Sequence, residues 1–362
     1  MPFHWDQRWT SSHGILDYCT AEGMKIDTLA TTPSGHPISV IEVAKGMDPP
    51  ILLAAGSHAD EVAGVFAALQ LARTLRNARH SVYVVPLRDP HGWDGFQAGL
   101  EALGATAPVH SFEDARHALA EGRVLWDEPD FVIAELSGEI FAAVEDQIWP
   151  STAIARHRLP ALMASQPELR QSLSGRRLTL PGNVGHPDLG RDSYSFGGHT
   201  AYIAEDGFTA HFNRYFDRPT APMEVETMRR LIETLRPGLT IDLHEGFSDK
   251  FYVFCRDQRE ERALGQAMTM AVLGKGGDLA TTADLAPTWG PETTRGITEF
   301  APGLFSHLER DNTELATFSG FAGQFGPSLT TEPGMAAPVS LRTERIVAGT
   351  LGAIRAWEES QQ

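Results

Sequence analysis

Hydrophobic positions along the chain change period several times, and the changes mark its elements. Residues 51–55 form an apolar run too short for a helix of its own. Gly56-Ser57 interrupts it. Val62, Val65, Phe66, Leu69, Leu71 and Leu75 then recur at helical spacing, which predicts a helix to about residue 78. The pattern is that of a buried strand, a tight turn and a helix. Residues 239–243, LTIDL, predict a second buried strand, with Asp242 inside it and His244 at its end. Residues 81–87 predict a third and 328–331 a final one. Residues 27–45 predict a hairpin around Pro33-Ser34-Gly35. A short helical lead-in precedes the hairpin. Helices are expected at 222–236, 260–273 and 340–359, and one more strand at 251–255.

The middle of the chain has a different texture. Helical stretches are predicted at 111–122 and 134–147, and 151–173 forms a long run broken near Pro160 and Pro167. No strand signal stands out. The expectation is a helical insertion, 101–185, that flanks the sheet of a single domain spanning 1–362. Residues 176–200 are rich in Gly and polar groups and predict loop, and 274–327 is loop-rich.

His58 and Glu61 fall in the turn after the first buried strand. Ligands of open α/β sheets bind at that edge. Imidazole and carboxylate are both zinc ligands, and catalytic zinc takes three protein ligands with one position left open. His-x-x-Glu alone is common by chance. His244, at the end of another strand, supplies a third ligand if the two strands lie side by side.

Composition narrows the field. The chain has 362 residues, 42% of them hydrophobic, and a formal net charge of −17. So acidic a surface disfavours nucleic acid and anionic membrane as partners. There is no basic segment followed by an apolar one at the start, and no stretch approaches a membrane span. A cytoplasmic location is the expectation. Cys19 and Cys255 form no Cys-x-x-Cys pair and read as free thiols. No Gly-x-Ser-x-Gly elbow is present, and GKGGD at 274–278 lacks the full nucleotide-binding pattern.

Four segments in order, His58-Ala59-Asp60-Glu61, Asn213-Arg214 in HFNRYF, His244 in IDLHEG and Glu332 in LTTEPG, resemble the zinc carboxypeptidase family. Its relatives, the aspartoacylases and succinylglutamate desuccinylases, share the pattern. The likeness covers residues 30–100 and 190–360 and leaves 101–185 unaligned. It implies a three-layer α/β/α sandwich around a mixed, mostly parallel twisted sheet. It implies one zinc per chain held by His58, Glu61 and His244, with Glu332 as general base to a zinc-activated water. It places Asn213 and Arg214 on a substrate carboxylate, and Arg191 is the candidate for the oxyanion. Glu299 is the rival base, lying far upstream of the closing helix. Asp60 stands where digestive carboxypeptidases carry arginine, and Phe212 where leucine is expected before Asn-Arg. Tyr252 and Trp289 are the candidates for a lid tyrosine's role.

Asp242 reads either as support for His244 or as a strand residue capping a helix, and Glu245 as structural. His186, His199 and His211 read mostly as surface or hydrogen-bonding residues, one of which could line the pocket. The function implied is hydrolysis of an amide in a peptide bearing a free carboxylate. An N-acyl-amino-acid amidohydrolase is the alternative, and a catalytically inactive zinc-containing binding module is the second.

Overall fold

The computed structural model describes residues 6–104, 108–145, 151, 154–182, 198–246, 248–285, 296–307 and 316–362. Its strands are β1 (Lys25–Thr31), β2 (Pro37–Ala44), β3 (Met47–Ala55), β4 (His80–Val85), β5 (Arg123–Glu128), β6 (Phe131–Leu136), β7 (Glu139–Val144), β8 (Arg177–Leu180), β9 (His199–Ile203), β10 (Thr209–His211), β11 (Leu239–Leu243), β12 (Phe251–Phe254), β13 (Ile297–Ala301), β14 (Leu304–His307) and β15 (Ser328–Pro333). Among the described residues the longer helices are α1 (Ser12–Ala21), α2 (Val62–Thr74), α3 (Met223–Leu235), α4 (Arg259–Leu273) and α5 (Val339–Ser360).

Nine strands make the main sheet, in the order β1-β2-β4-β3-β11-β15-β12-β14-β13. The central strands β4, β3, β11 and β15 are mutually parallel. The flanks are not, because the edge hairpins β1-β2 and β13-β14 pair antiparallel, as do β2-β4 and β12-β15. The parallel character expected of most of the sheet therefore belongs to its centre and to the β12-β14 pair. Helices α1, α2, α4 and α5 bury one face, around Phe66, Leu264, Ile346 and Trp357. Helix α3 and the short helix Phe318–Ala322 bury the other, around Met228, Ile232 and Phe318. The result is the expected three-layer sandwich. Central strands covered on both faces explain the unbroken apolar run at 51–55 and the complete burial of 239–243, Thr240 and Asp242 included.

The insertion differs from its expected helical form. Helices do occur at Phe112–Leu119, Leu159–Ser165 and Pro167–Leu173. Between them lies a second sheet of six strands, in the order β10-β9-β8-β7-β6-β5. The stretch expected as a helix over 134–147 is the β6-β7 hairpin, turned by Ser137 and Gly138, both at positive φ. That is the backbone of a two-residue hairpin turn. Alternate residues of these strands face two cores. Phe131, Ile133, Ile140 and Ala142 pack under the helices of 154–173, while Val132, Ala134, Phe141 and Ala143 meet Phe96, Leu100 and Phe112. A strand buried on both faces loses its alternation, and a short apolar run is then indistinguishable from a buried helix. β10 carries this sheet on to His211, well past residue 185.

Cys19 and Cys255 are both buried and free, as expected. Burial raises both thiols, Cys19 to about 12, so neither is a reactive thiolate. No helix among the described residues is long and apolar enough to cross a membrane.

His91 ties the insertion to the main sheet. Its Nδ1 lies 3.0 Å from the Ser34 hydroxyl in the β1-β2 turn, and its Nε2 lies 2.6 Å from the Thr179 hydroxyl in β8. Burial, seconded by His36, lowers its pKa from 6.5 to about 4. The folded state thus binds fewer protons than the unfolded state between these values. The stabilisation is complete above pH 6.5 and is lost as pH falls toward 4, by on the order of 3 kcal/mol at most. Urea unfolding at pH 7.5 and 4.5 should show that loss shrinking in His91→Gln. An equal loss in both proteins would count against it.

Candidate metal centre

Parallel neighbours end on the same side of a sheet. Leu243 of β11 is in register with Ala55 of β3 and with Thr331 of β15. The residues that follow each strand are therefore brought to one edge, His58 after β3, His244 after β11 and Glu332 near the end of β15. Gly56 makes the turn after β3 at φ +62°, and a Cβ there would lie 2.7 Å from the Leu87 side chain. Helix α2 begins just past Glu61, whose side chain does not cap it. Gly64 lets that helix sit on β11, since a Cβ at this position would meet the Leu243 carbonyl at 2.4 Å.

Glu61 faces both histidines. Its Oε1 lies 2.6 Å from His58 Nδ1 and its Oε2 lies 2.8 Å from His244 Nδ1. One ligand atom from each of the three residues falls within 4.8 Å of the others. The donor set fits a cation. His244 Nε2 is 3.0 Å from Asp242 Oδ2, and a ring proton held there would leave Nδ1 as the ligand atom. The two carboxylates around the ring favour its cationic form: desolvation opposes the charge, yet Asp242 and Glu61 outweigh that and raise the His244 pKa to about 10. Two imidazoles and a carboxylate match zinc, and a carboxylate behind a ligating histidine is its usual orienting partner. Asp242 thus supports His244, and it is held in turn by the buried Arg88.

Glu245 points away from the centre. Its Oε2 accepts from the Ala63 amide at 2.7 Å, at the start of α2, and its Oε1 pairs with Arg342 of α5. Burial pushes this carboxyl up to about 7 against the pull of Arg342. The pair anchors the strand end that carries His244.

A cavity of about 80 Å³ opens over the centre, lined by His58, Glu61, His244, Arg214 and Glu332 among others. Arg214 is half-buried and donates to the Asn213 carbonyl at 2.6 Å. Asn213 reaches the cavity too, but its Oδ1 accepts from the Phe318 amide at 2.8 Å and its amide nitrogen lies 3.4 Å from His244 Nε2. A second cavity of about 140 Å³ adjoins the first through Phe254, Thr317, Ser319 and Thr330.

His199 and His211 are not surface residues. Both are buried and both line the cavity. His211 Nδ1 is 2.9 Å from His58 Nε2, and His199 Nδ1 is 3.4 Å from Asp60 Oδ1. Glu299 lies in β13 and its carboxylate accepts from the amide and hydroxyl of Thr282. Tyr252 is buried in β12 between Phe254 and Phe305, inside the sheet rather than over it. Arg191, His186 and Trp289 fall outside the described residues.

No sequence-family model matches the chain, and no curated protein matches it in sequence. Solved structures do. A protein from Shewanella amazonensis named a putative metallopeptidase superposes with TM-score 0.50 at 13% identity, over 95% of this chain and 91% of its own. The chain shares the fold of that protein. A second so-named protein, from Shewanella denitrificans, gives 0.49 at 14% identity over 94% and 86%. A metallo-carboxypeptidase from Pseudomonas aeruginosa gives 0.46 at 14% identity over 95% and 68%. At these identities the likeness is one of fold. Within this fold, His58, Glu61 and His244 stand at the carboxyl edge of the parallel centre, where α/β sheets place their ligands.

Proposed function

We propose that the chain is a zinc-dependent amide hydrolase of carboxypeptidase type, acting on a substrate with a free carboxylate. One observation carries the reading. Two imidazoles and a carboxylate bring ligand atoms within 4.8 Å of one another, and a further glutamate lines the same cavity. Bound there, zinc would supply a Lewis acid for the scissile carbonyl and acidify the attacking water.

The chain's own residues do the rest. His58, Glu61 and His244 hold the ion, and Asp242 fixes the His244 ring. Glu332 takes the proton of the attacking water and returns it to the leaving amine, as general acid–base catalysis requires. Arg214 presents a fork of donors suited to a carboxylate. Asn213, whose side-chain oxygen accepts from the Phe318 amide, positions the loop that carries Arg214. The cavities are small, which favours a single side chain or a short acyl group in the inner space.

The test is metal content by elemental analysis together with a cleavage panel. Zinc-loaded protein should cleave N-blocked dipeptides with a free C-terminus, N-acyl amino acids, or both, and the panel separates the two classes. Metal-free protein, or loaded protein inert towards every member, would refute the hydrolase and favour a binding module. Within that panel, Arg214→Ala should raise KM roughly 10- to 100-fold for substrates with a free carboxylate, the worth of one charged hydrogen-bonded pair. Amidated analogues should be unaffected. An equal rise for both would remove Arg214 from carboxylate recognition.

A further inference from the structure

We propose that His58, His199 and His211 form a second metal site, for a divalent transition cation of the zinc type. The three residues each offer a ring nitrogen, and these nitrogens lie within 4.8 Å of one another. The rings crowd together, with His58 4.4 Å from His211 and 5.0 Å from His199 between centroids, and His199 5.5 Å from His211. His199 and His211 are buried and His58 is half-buried, and all three line the cavity over the first centre. As a set of borderline-soft nitrogen donors they suit zinc, cobalt, nickel or copper, and not the hard cations magnesium or calcium.

The surroundings repeat the design of the first centre. There, Asp242 sits behind His244. Here, Asp60 sits behind His199, 3.4 Å from Nδ1, and is itself steadied by the Ser151 hydroxyl at 2.9 Å. With Nδ1 turned to the carboxylate, the other nitrogen of His199 is left for a ligand. His58 serves both groups. Its Nδ1 faces Glu61 and its Nε2 faces His211 at 2.9 Å. With both sites filled, each nitrogen of His58 binds one cation, and the remaining ring proton leaves to solvent. The second cation therefore binds more weakly than the first.

The site has a structural consequence. His199 opens β9 and His211 closes β10, both in the insertion's sheet, whereas His58 belongs to the main sheet's edge. A cation there fastens the insertion to the loop that carries His58 and Glu61, and so gives the insertion a part in building the centre.

Cobalt(II) titration of the metal-stripped full chain, followed by its visible absorption and by equilibrium dialysis, tests the site. Saturation at two equivalents is expected in the wild type. His244→Ala should bind one, and His199→Gln with His211→Gln should bind one and keep the spectrum of the tighter site. The second equivalent should also raise the Tm of the wild type and not that of the double variant. Saturation of the wild type at one equivalent or none overturns the site, with no variant needed. Two equivalents retained by the double variant place the second cation elsewhere and overturn it too. The outcome is separable from the hydrolase reading. A chain that binds two cations and cleaves nothing keeps this site, and one that cleaves but saturates at a single cation loses it.

Discussion

Glu332→Gln should keep its full metal content and lose kcat by about 10²- to 10⁴-fold, the usual contribution of one positioned proton carrier. Gln has the same shape and can still accept a hydrogen bond, but it cannot take a proton from water. KM should change little, because the side chain is not asked to hold the ground-state substrate. The side chain stands near the end of β15, half-buried, in the cavity that also holds His58, Glu61 and His244. Steady-state kinetics with elemental analysis of the same preparation decide the matter. Activity within a few-fold of wild type would remove Glu332 from the chemistry. Loss of metal along with activity would make it a structural or ligand residue instead.

Arg342→Met should destabilise the fold by roughly 3–5 kcal/mol, because it strands the buried Glu245 without its partner. Both side chains are almost wholly inaccessible, and Glu245 also accepts from the first turn of α2. A charge left there must either stay desolvated or take up a proton. Urea unfolding measures the loss directly. The companion variant, Glu245→Gln with Arg342→Met, should recover a good part of it, since a neutral amide still accepts from Ala63 and no charge remains buried. A loss below about 1 kcal/mol in the single variant would show that water reaches the pair.

How much of this was legible beforehand depended on which residues share a strand. The β3-turn-α2 unit and β11 declared themselves, since β3 ends in an unbroken apolar run before Gly56 and β11 is a mostly apolar segment ended by His244. His58, Glu61 and His244 were found for the same reason, each one or a few residues past such a run. Asp242 was left open, because its partner is fixed only by the rotation of the His244 ring. His199 and His211 were set aside. They lie in a polar stretch with no recognisable ligand spacing, and His58 is 153 residues from His211. The Ser137-Gly138 turn was the one overlooked local signal of the second sheet.

The sequence by itself read β13 and β14 as part of a loop-rich stretch, but it determined most elements of the main sheet, their order along the chain, and a three-ligand metal pattern. These depend on local periodicity and on spacing of a few residues, which the chain writes directly. Tertiary structure alone decided that the insertion holds a sheet and that the sheet's ends deliver His199 and His211 to His58. It also decided that Glu245 is spent on Arg342 rather than on the centre. Each of these turns on which face of a doubly buried strand meets which neighbour. That choice is made by packing between segments a hundred residues apart, and no local pattern records it.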